Sequence, residues 1–205
     1  TTIMFSLAQE LAERGKKVVL TTTTKIMTPE PDETPLLVVE ENLEKALVLI
    51  REGLQKYSMI TVGTRIQPDG KLSGILPEWV EEIKRIKGVI NVIVEADGAA
   101  GKPFKAPREY EPVIPQNSNI VISIVGIDAL GKELSEKNVH RPDRIAALTS
   151  LKAGELITAE AIALVMLHPQ GNVKGSPEGA RIIPLINKVD DNEKLLKARE
   201  LAGSL

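Results

Sequence analysis

The chain has no cysteine among its 205 residues, and its aromatic side chains are limited to one tryptophan, two tyrosines and two phenylalanines. Without cysteine, disulfide bonds, thiolate metal sites and a cysteine nucleophile are excluded. The same absence fits a protein of the reducing cytoplasm, so we expect a cytoplasmic location. The single tryptophan, Trp79, has Val80 and Ile83 beside it in a helical pattern that is typical of core packing.

An excess of one charge and a long apolar run are also lacking. The chain carries 26 basic and 28 acidic residues, for a net charge of −2, and no basic stripe suggests a nucleic-acid partner. The longest apolar run, Ala161 to Leu167, is bounded by Glu160 and His168 and is too short to predict a membrane partner. A chain of 205 residues fits one domain with a substantial core.

Helix and strand patterns alternate along the chain. Helices are predicted at 3–14, 42–55, 77–87, 142–151, 158–167 and 193–202; strands at 17–24, 36–39, 59–63, 89–94, 119–125 and 181–186; and a hairpin at 64–75. Val- and Ile-rich strands alternating with helices predict an α/β fold, a three-layer, mostly parallel sheet with helices on both faces. In such sheets, ligands bind at the carboxyl ends of the strands.

The opening residues predict a P-loop NTPase-like domain over residues 1–205. Thr1-Thr2 lead directly into a helix and then a strand, the order that follows the Gly-Lys-Ser/Thr of a P-loop. We therefore expect the first strand and the phosphate loop to precede Thr1. Thr1 is then a predicted Mg²⁺ ligand, and Thr2 lies in the nucleotide site. The alternative is that these two residues simply cap the helix.

Near the C-terminus, a β-rich run is followed by Asn187-Lys188-Val189-Asp190, a pattern with which many GTPases recognise guanine. The Asp190 carboxylate can accept from guanine N1–H and the exocyclic amine, a charge-assisted pair that adenine cannot supply. Asn187 would reach the far edge of the base, and the Lys188 stem would lie along its face. Alternatively, Asp190, Asp191 or Asn192 caps the next helix, and ATP remains open as the nucleotide.

Two other strand ends carry polar residues. Glu95 and Asp97 end a strand and precede small residues, a position that in P-loop enzymes holds Mg²⁺ or its waters, while the Gly98 backbone can approach a phosphate. Which carboxylate meets the metal stays open, and the alternative is a turn with solvated carboxylates. Thr24 and Lys25 lie at the end of the first predicted strand and are predicted nucleotide contacts, and Thr23 and Thr24 are the candidate switch residues. An ordinary strand end is the alternative for the threonines.

Arg141 precedes Pro142 at a helix start and is predicted to stabilise charge as an arginine finger does. The histidine before it, His140, lacks the partners of a hydrolytic triad.

Several segments occur together in one order. They are Thr21-Thr22-Thr23-Thr24-Lys25-Ile26, Val94 to Ala99, Lys105 to Pro112, His140-Arg141-Pro142, and Lys174-Gly175 before Asn187 to Asp190. Over nearly the whole chain they resemble the YqeC-type accessory proteins of selenium-dependent molybdenum hydroxylases. The resemblance implies P-loop nucleotide binding and maturation of a selenium-containing molybdenum cofactor site. Thr1-Thr2 match the end of the family's Gly-Lys-Thr-Thr loop, and the chain departs from the pattern by lacking the residues before it.

Two functions follow from these predictions. In the first, the protein is a GTP- or ATP-hydrolysing or phosphoryl-transferring enzyme that uses Mg²⁺. In the second, it is a nucleotide-gated chaperone that inserts a selenium or molybdenum cofactor intermediate into a hydroxylase, with little catalysis of its own. A weaker third possibility is a degenerate fold that binds no nucleotide. A second anionic substrate, such as a cofactor phosphate or selenophosphate, would contact Lys102, Lys105, Arg108 and Lys174, although such residues are more often solvated surface.

Overall fold

Six α-helices and eight β-strands alternate along residues 1–205, all of which the computed structural model describes. The helices are α1 (Thr2–Glu13), α2 (Leu43–Gly53), α3 (Trp79–Lys84), α4 (Pro142–Leu148), α5 (Ala159–Leu167) and α6 (Asn192–Ala202). The strands are β1 (Lys17–Thr22), β2 (Lys25–Met27), β3 (Leu37–Val39), β4 (Met59–Gly63), β5 (Lys71–Ser73), β6 (Val89–Glu95), β7 (Ile120–Gly126) and β8 (Arg181–Asn187). The predicted α/β fold is confirmed, and the predicted elements form within a few residues of their expected ends.

The chain divides into two compact units. The first unit contains Thr1–Gly98 and Val113–Asn117, and the second contains Ala99–Pro112 and Ser118–Leu205. The P-loop-like character of the fold, the strand expected before Thr1 and the single domain over residues 1–205 all stay predictions.

The first unit is built on a parallel sheet in the order β3-β4-β1-β6. Successive side chains of β1 point to opposite faces, so Val18 and Leu20 pack with α1, while Val19 packs with α2 and α3. Helices therefore cover both faces of this sheet, as the continuous apolar strands predict. Trp79 is buried in the α2–α3 layer, which confirms its predicted core role.

The predicted strand at 17–24 divides into β1 and β2. The Thr22 hydroxyl oxygen accepts a hydrogen bond from the Thr24 N–H at 3.0 Å, and this local bond turns the chain out of the sheet. Beyond the turn, β2 pairs antiparallel with β5, a pairing that the sequence did not predict. The predicted hairpin at 64–75 is present, since the Ser73 N–H donates to the Arg65 carbonyl at 2.8 Å.

The second unit contains a parallel pair, β7 and β8. Its core lies where β7 packs with α5, and includes Val125, Ile162 and Met166, all fully buried. Pro184 lies within β8 at an exposed position, as expected for an edge strand, where the missing N–H leaves no ladder bond unpaired. None of the helices has the length and apolar character needed to cross a membrane.

Gly74 packs directly against the end of β1. A Cβ at this position would lie 2.5 Å from the Thr22 carbonyl oxygen and 2.7 Å from that of Thr24. Because both atoms belong to the backbone, we expect Gly74→Ala to lower the free energy of unfolding by about 1–3 kcal/mol, measured by urea denaturation. Gly98→Ala is the matched control, since its Cβ would meet only the Lys25 carbonyl oxygen, at 3.9 Å. Equal midpoints for the two variants would contradict this account.

Candidate functional site

The carboxyl ends of β1 and β6 bring together predicted residues from separate segments of the first unit. The Thr22 hydroxyl and the Thr23 N–H both donate to the Glu95 carbonyl, at 2.8 and 3.1 Å. The Thr1 nitrogen lies 2.8 Å from Glu95 Oε2, so α1 begins beside the end of β6. The start of α1, the end of β1 and the Glu95 carboxylate therefore meet at the carboxyl ends of the strands. Parallel α/β proteins bind ligands at this end of the sheet.

Glu95 is the most constrained carboxylate at this edge. Its side chain is 13% exposed, and its buried Oε2 forms an ion pair with the Thr1 nitrogen at 2.8 Å. Such an oxygen is suited to a hard cation, which prefers carboxylate ligands. The structure brings together no group of three or more His, Cys, Asp or Glu residues arranged to hold a metal. Magnesium sites commonly use one or two carboxylates, with phosphate oxygens and waters as the remaining ligands.

The other predicted residues of this unit lie at or beyond the start of α1 and the ends of β1 and β6 in the chain. Asp97 is half-buried beyond the end of β6, and Gly98 approaches the backbone of Lys25. Thr24 is half-buried, while Thr2 and Lys25 are exposed. These residues form the rim of the same sheet edge.

The threonine hydroxyls at the end of β1 form hydrogen bonds to backbone carbonyl groups. The Thr21 hydroxyl donates to the Val62 carbonyl at 2.9 Å, and the Thr23 hydroxyl donates to the Val113 carbonyl at 2.6 Å. The Val113 N–H in turn donates to the Ala96 carbonyl at 3.0 Å. For Thr21 and Thr23, these bonds favour the ordinary strand-end interpretation, and they leave Thr24 as the stronger switch candidate.

In the second unit, Asn187 ends β8, and the other residues predicted to read guanine, Lys188 and Asp190, follow it. Lys188 has a φ of 63° and donates from Nζ to Asp128 Oδ2 at 2.8 Å. Asp191, rather than Asp190, caps α6, since its side chain accepts from the Lys194 N–H at 2.8 Å. That N–H also lowers the pKa of Asp191.

Asp190 lies outside the helix cap. Its side chain is 67% exposed and pairs with the Lys194 ammonium, which raises the pKa of Lys194. The capping alternative therefore accounts for Asp191 and leaves the Asp190 carboxylate without that structural role.

Sequence reasoning missed the centre of a second cluster, Glu111. Arg141 donates from both Nη atoms, one to each carboxylate oxygen, with Nη2 at 3.1 Å from Oε1. Lys105 Nζ donates to Oε2 at 3.0 Å, and the Arg108 N–H donates to the same oxygen at 3.2 Å. The Lys105 side chain is 6% exposed, and those of Glu111 and Arg141 are 15% exposed. The predicted finger residue Arg141 thus belongs to a largely buried ion cluster.

The electrostatics of this cluster follow from its composition. Burial opposes the ionisation of Glu111, but the hydrogen bonds from Arg141, the Arg108 N–H and Lys105 outweigh it and lower the pKa of Glu111 to about 2. Burial also lowers the pKa of His140, and the nearby charges of Arg141 and Lys105 lower it further. Hydrogen bonds from cationic and backbone donors thus dominate the Glu111 shift, whereas burial is the largest cause of the His140 shift.

A cavity of about 690 Å³ opens beside the cluster and is lined by Lys102, Arg108, Tyr110, His140, Arg141 and Arg144, among others. Two of the lysines predicted to contact an anion are engaged with carbonyl groups. Lys102 Nζ donates to the Lys137 carbonyl at 2.6 Å, and Lys174 Nζ donates to that of Glu109 at 2.7 Å. Of the residues predicted for a second anion, Lys102 and Arg108 line the cavity.

Comparison with known proteins identifies the family. The family model described as YqeC protein matches residues 1–143. The chain belongs to the YqeC family. A similar protein from Escherichia coli (strain K12), described as uncharacterized protein YqeC, is 30% identical over 205 residues, which are 100% of this chain and 78% of that protein. No solved structure matches the chain. The residues matched by the family model include Glu95, Glu111 and Arg141 and end before Asn187.

The low pKa of Glu111 predicts a pH-dependent contribution to stability. Because this pKa is about 2 in the folded protein and 4.5 ordinarily, the contribution is complete above pH 4.5 and is lost as the pH falls towards 2. We expect Glu111→Gln to lower the free energy of unfolding at pH 7, by less than the about 3–5 kcal/mol lost when a fully buried ion pair is broken. The difference from the wild type should shrink between pH 4.5 and pH 2 in urea denaturation.

Glu109→Gln is the control for this prediction, because Glu109 is an exposed carboxylate two positions away. It should unfold like the wild type at every pH. A pH-independent deficit in Glu111→Gln would show that the ion cluster does not stabilise the fold.

Proposed function

We propose that this YqeC-family protein binds GTP or ATP with Mg²⁺ in the cytoplasm and acts in the maturation of a selenium-dependent molybdenum hydroxylase. One observation carries the nucleotide proposal. The start of α1, the end of β1 and the Glu95 carboxylate lie together at the carboxyl ends of the strands. The start of a helix favours phosphate, because its first N–H groups lack partners within the helix.

Each residue at this edge has a distinct task in the proposal. Thr1 and Thr2 present the first polar groups of α1 to the phosphates. The buried Glu95 Oε2, which pairs with the Thr1 nitrogen in this structure, would bind Mg²⁺, with Asp97 as a second carboxylate. Bound Mg²⁺ would neutralise negative charge on the phosphate oxygens. Thr24, Lys25 and Gly98 would contact the nucleotide from the rim.

Base recognition is assigned to the residues after β8. Asp190 is exposed and is not needed to cap α6, so its carboxylate can accept two hydrogen bonds from guanine. Asn187 and Lys188 flank the same base in this proposal. The charge-stabilising role predicted for Arg141 stays a prediction, since its Nη atoms are held by Glu111.

A second form of the function is a nucleotide-gated chaperone for a selenium or molybdenum cofactor intermediate. The backbone bond from Val113 to Ala96 favours it, because it ties residue 113 to the strand end that carries Glu95 and Asp97. A change of nucleotide at that strand end would then act on the chain segment around Val113. Very slow turnover that a hydroxylase partner accelerates would support gating, while fast turnover without a partner would support an enzyme.

The deciding experiment is calorimetric titration of the full-length protein, including any residues encoded before Thr1, with GTP and with ATP, each with and without Mg²⁺. Mg²⁺-dependent binding of GTP that is much tighter than that of ATP would support the nucleotide site and guanine reading. A preference for ATP would show that residues 187–190 do not read guanine and form only a strand end beside a helix. Binding of neither nucleotide would overturn the proposal.

Asp190→Asn tests base reading. The amide loses the charge-assisted pair with guanine, so GTP affinity should fall by about 10- to 100-fold. Xanthosine triphosphate should bind better than GTP to this variant, because the amide can donate to the xanthine carbonyl. The matched control is Asp191→Asn, which keeps the α6 cap since asparagine caps as well as aspartate. Equal loss of both nucleotides in Asp190→Asn would rule out guanine reading.

Glu95→Gln and Asp97→Asn separate the two carboxylates. Each substitution keeps the side-chain size and removes the negative charge that attracts a cation, so the Mg²⁺ concentration needed for nucleotide binding should rise. We expect the larger rise for Glu95→Gln because Glu95 Oε2 is buried. Glu10→Gln, on the exposed face of α1, should leave the Mg²⁺ dependence unchanged. Wild-type dependence in both test variants would contradict the metal assignment.

A further inference from the structure

The segments that follow β7 and β8 are both anchored in the core of the second unit. The two strands pair in parallel and stay in register up to their last residues, so the chain leaves both at the same end. A 3₁₀ turn (Ile127–Ala129) follows β7, and its first and last residues are almost fully buried. Val189, after β8, packs against the same core. Asp128, in the middle of the turn, and Lys188, directly before Val189, therefore have fixed backbone positions.

The side chains of Asp128 and Lys188 meet beside the last residue of β7. Lys188 Nζ donates to Asp128 Oδ2 at 2.8 Å. A Cβ on Gly126 would clash with Asp128 Oδ1 and would lie 3.3 Å from Lys188 Cδ. The carboxylate and the lysine stem thus occupy the space that a side chain at position 126 would need. Both the ammonium group and the stem of Lys188 are held at this strand end.

The stability of the fold does not account for this ion pair. The side chains of Lys188 and Asp128 are 45% and 39% exposed, and exposed ion pairs contribute little to folding. Asp128 Oδ1 is buried and forms no hydrogen bond, which costs free energy. Lys188 also has a φ of 63°, in the left-handed region that favours glycine. An unpaired buried oxygen and a strained backbone therefore coincide at one strand end, which favours a role in ligand binding.

The proposed base recognition gives the fixed lysine a task. In that proposal the Lys188 stem lies along the face of the base. A flexible lysine would lose conformational entropy when the nucleotide orders it, whereas a stem that is ordered beforehand loses less. The ion pair with Asp128 supplies this order, because it holds the ammonium group at the end of the stem.

We infer that Asp128 is a positioning residue for nucleotide recognition, which holds the Lys188 side chain in the orientation that contacts the base. The inference rests on the base recognition proposed for Asn187, Lys188 and Asp190. Because Asp128 acts through a side chain on the face of the base, it contributes to affinity and leaves the reading of the base edge to Asp190.

Calorimetric titration of the full-length Asp128→Asn variant with GTP and with inosine triphosphate, both with Mg²⁺, tests the inference. Inosine triphosphate lacks the exocyclic amine that Asp190 is proposed to bind, so the ratio of the two affinities reports on edge reading. Both affinities should fall by the same factor, about 3- to 10-fold, the loss expected when one flexible side chain must be ordered on binding. Wild-type affinity would overturn the inference. A changed ratio would show that Asp128 reads the edge directly and would also overturn it.

Asp69→Asn is the matched control. Asp69 pairs with Lys71 at 2.9 Å, and their side chains are 55% and 44% exposed, so the same types of residue form a similar pair in the first unit. This variant should bind both nucleotides as the wild type does. A loss equal to that of Asp128→Asn would show that the effect is one of net charge and would overturn the inference.

Lys188→Met separates positioning from a structural role of the carboxylate. Methionine keeps most of the stem and removes the ammonium group that Asp128 holds, so GTP affinity should fall by the same factor as in Asp128→Asn. The double variant should bind GTP no more weakly than Lys188→Met alone, because Asp128 then has nothing to hold. Wild-type affinity in Lys188→Met, or a further loss in the double variant, would overturn the inference.

The inference and the proposed function can fail separately. Binding of no nucleotide by the wild type, or a preference for ATP, would overturn the proposed base recognition and the role of Asp128 with it. Tight binding of GTP by the wild type and equally tight binding by Asp128→Asn would overturn the role of Asp128 alone.

Discussion

The burial of β1 on both faces and both edges is the constraint on which the candidate nucleotide site depends. Val18 through Thr22 have no exposed surface, and β4 and β6 pair with the strand on either side. A strand so enclosed must satisfy every polar group internally, so the hydroxyls of Thr21 and Thr22 donate to carbonyls of the neighbouring strands. Ligand chemistry is thereby confined to the strand end, where Glu95 and the start of α1 lie.

In the second unit, the Glu111 carboxylate is the interaction that holds the candidate residues in place. Its carboxylate holds Arg141, which has a φ of 62°, and Lys105, whose side chain is almost fully buried. The His140 N–H donates to the Phe104 carbonyl at 2.9 Å, so backbone and side chains join the same two segments. Without this carboxylate, the largely buried guanidinium group of Arg141 would lose its two hydrogen bonds to Glu111.

The sequence was sufficient for the features that local rules govern. Asn42 and Thr158 are the first residues of two predicted helices, and their side chains accept hydrogen bonds from those helices. The alternation of apolar strands with helices identified the α/β fold. The division of the strand at 17–24 depends on one threonine hydroxyl bond, which propensity does not reveal. The pairing of Glu111 with Arg141 joins residues 30 positions apart, and only tertiary contact selects that carboxylate among the 28 acidic residues.

The segment after β8 shows how stability and function can be told apart. Asp191 caps α6, so the cap needs nothing from Asp190, and an exposed pair such as Asp190 with Lys194 contributes little to folding. Lys188 adopts a left-handed backbone conformation that costs about 1–3 kcal/mol, and its exposed bond to Asp128 returns only part of that cost. Strained or weakly stabilising residues at the carboxyl end of a parallel strand have no evident structural purpose. Recognition of a ligand at this strand end would account for the backbone strain at Lys188 and for the exposed carboxylate of Asp190.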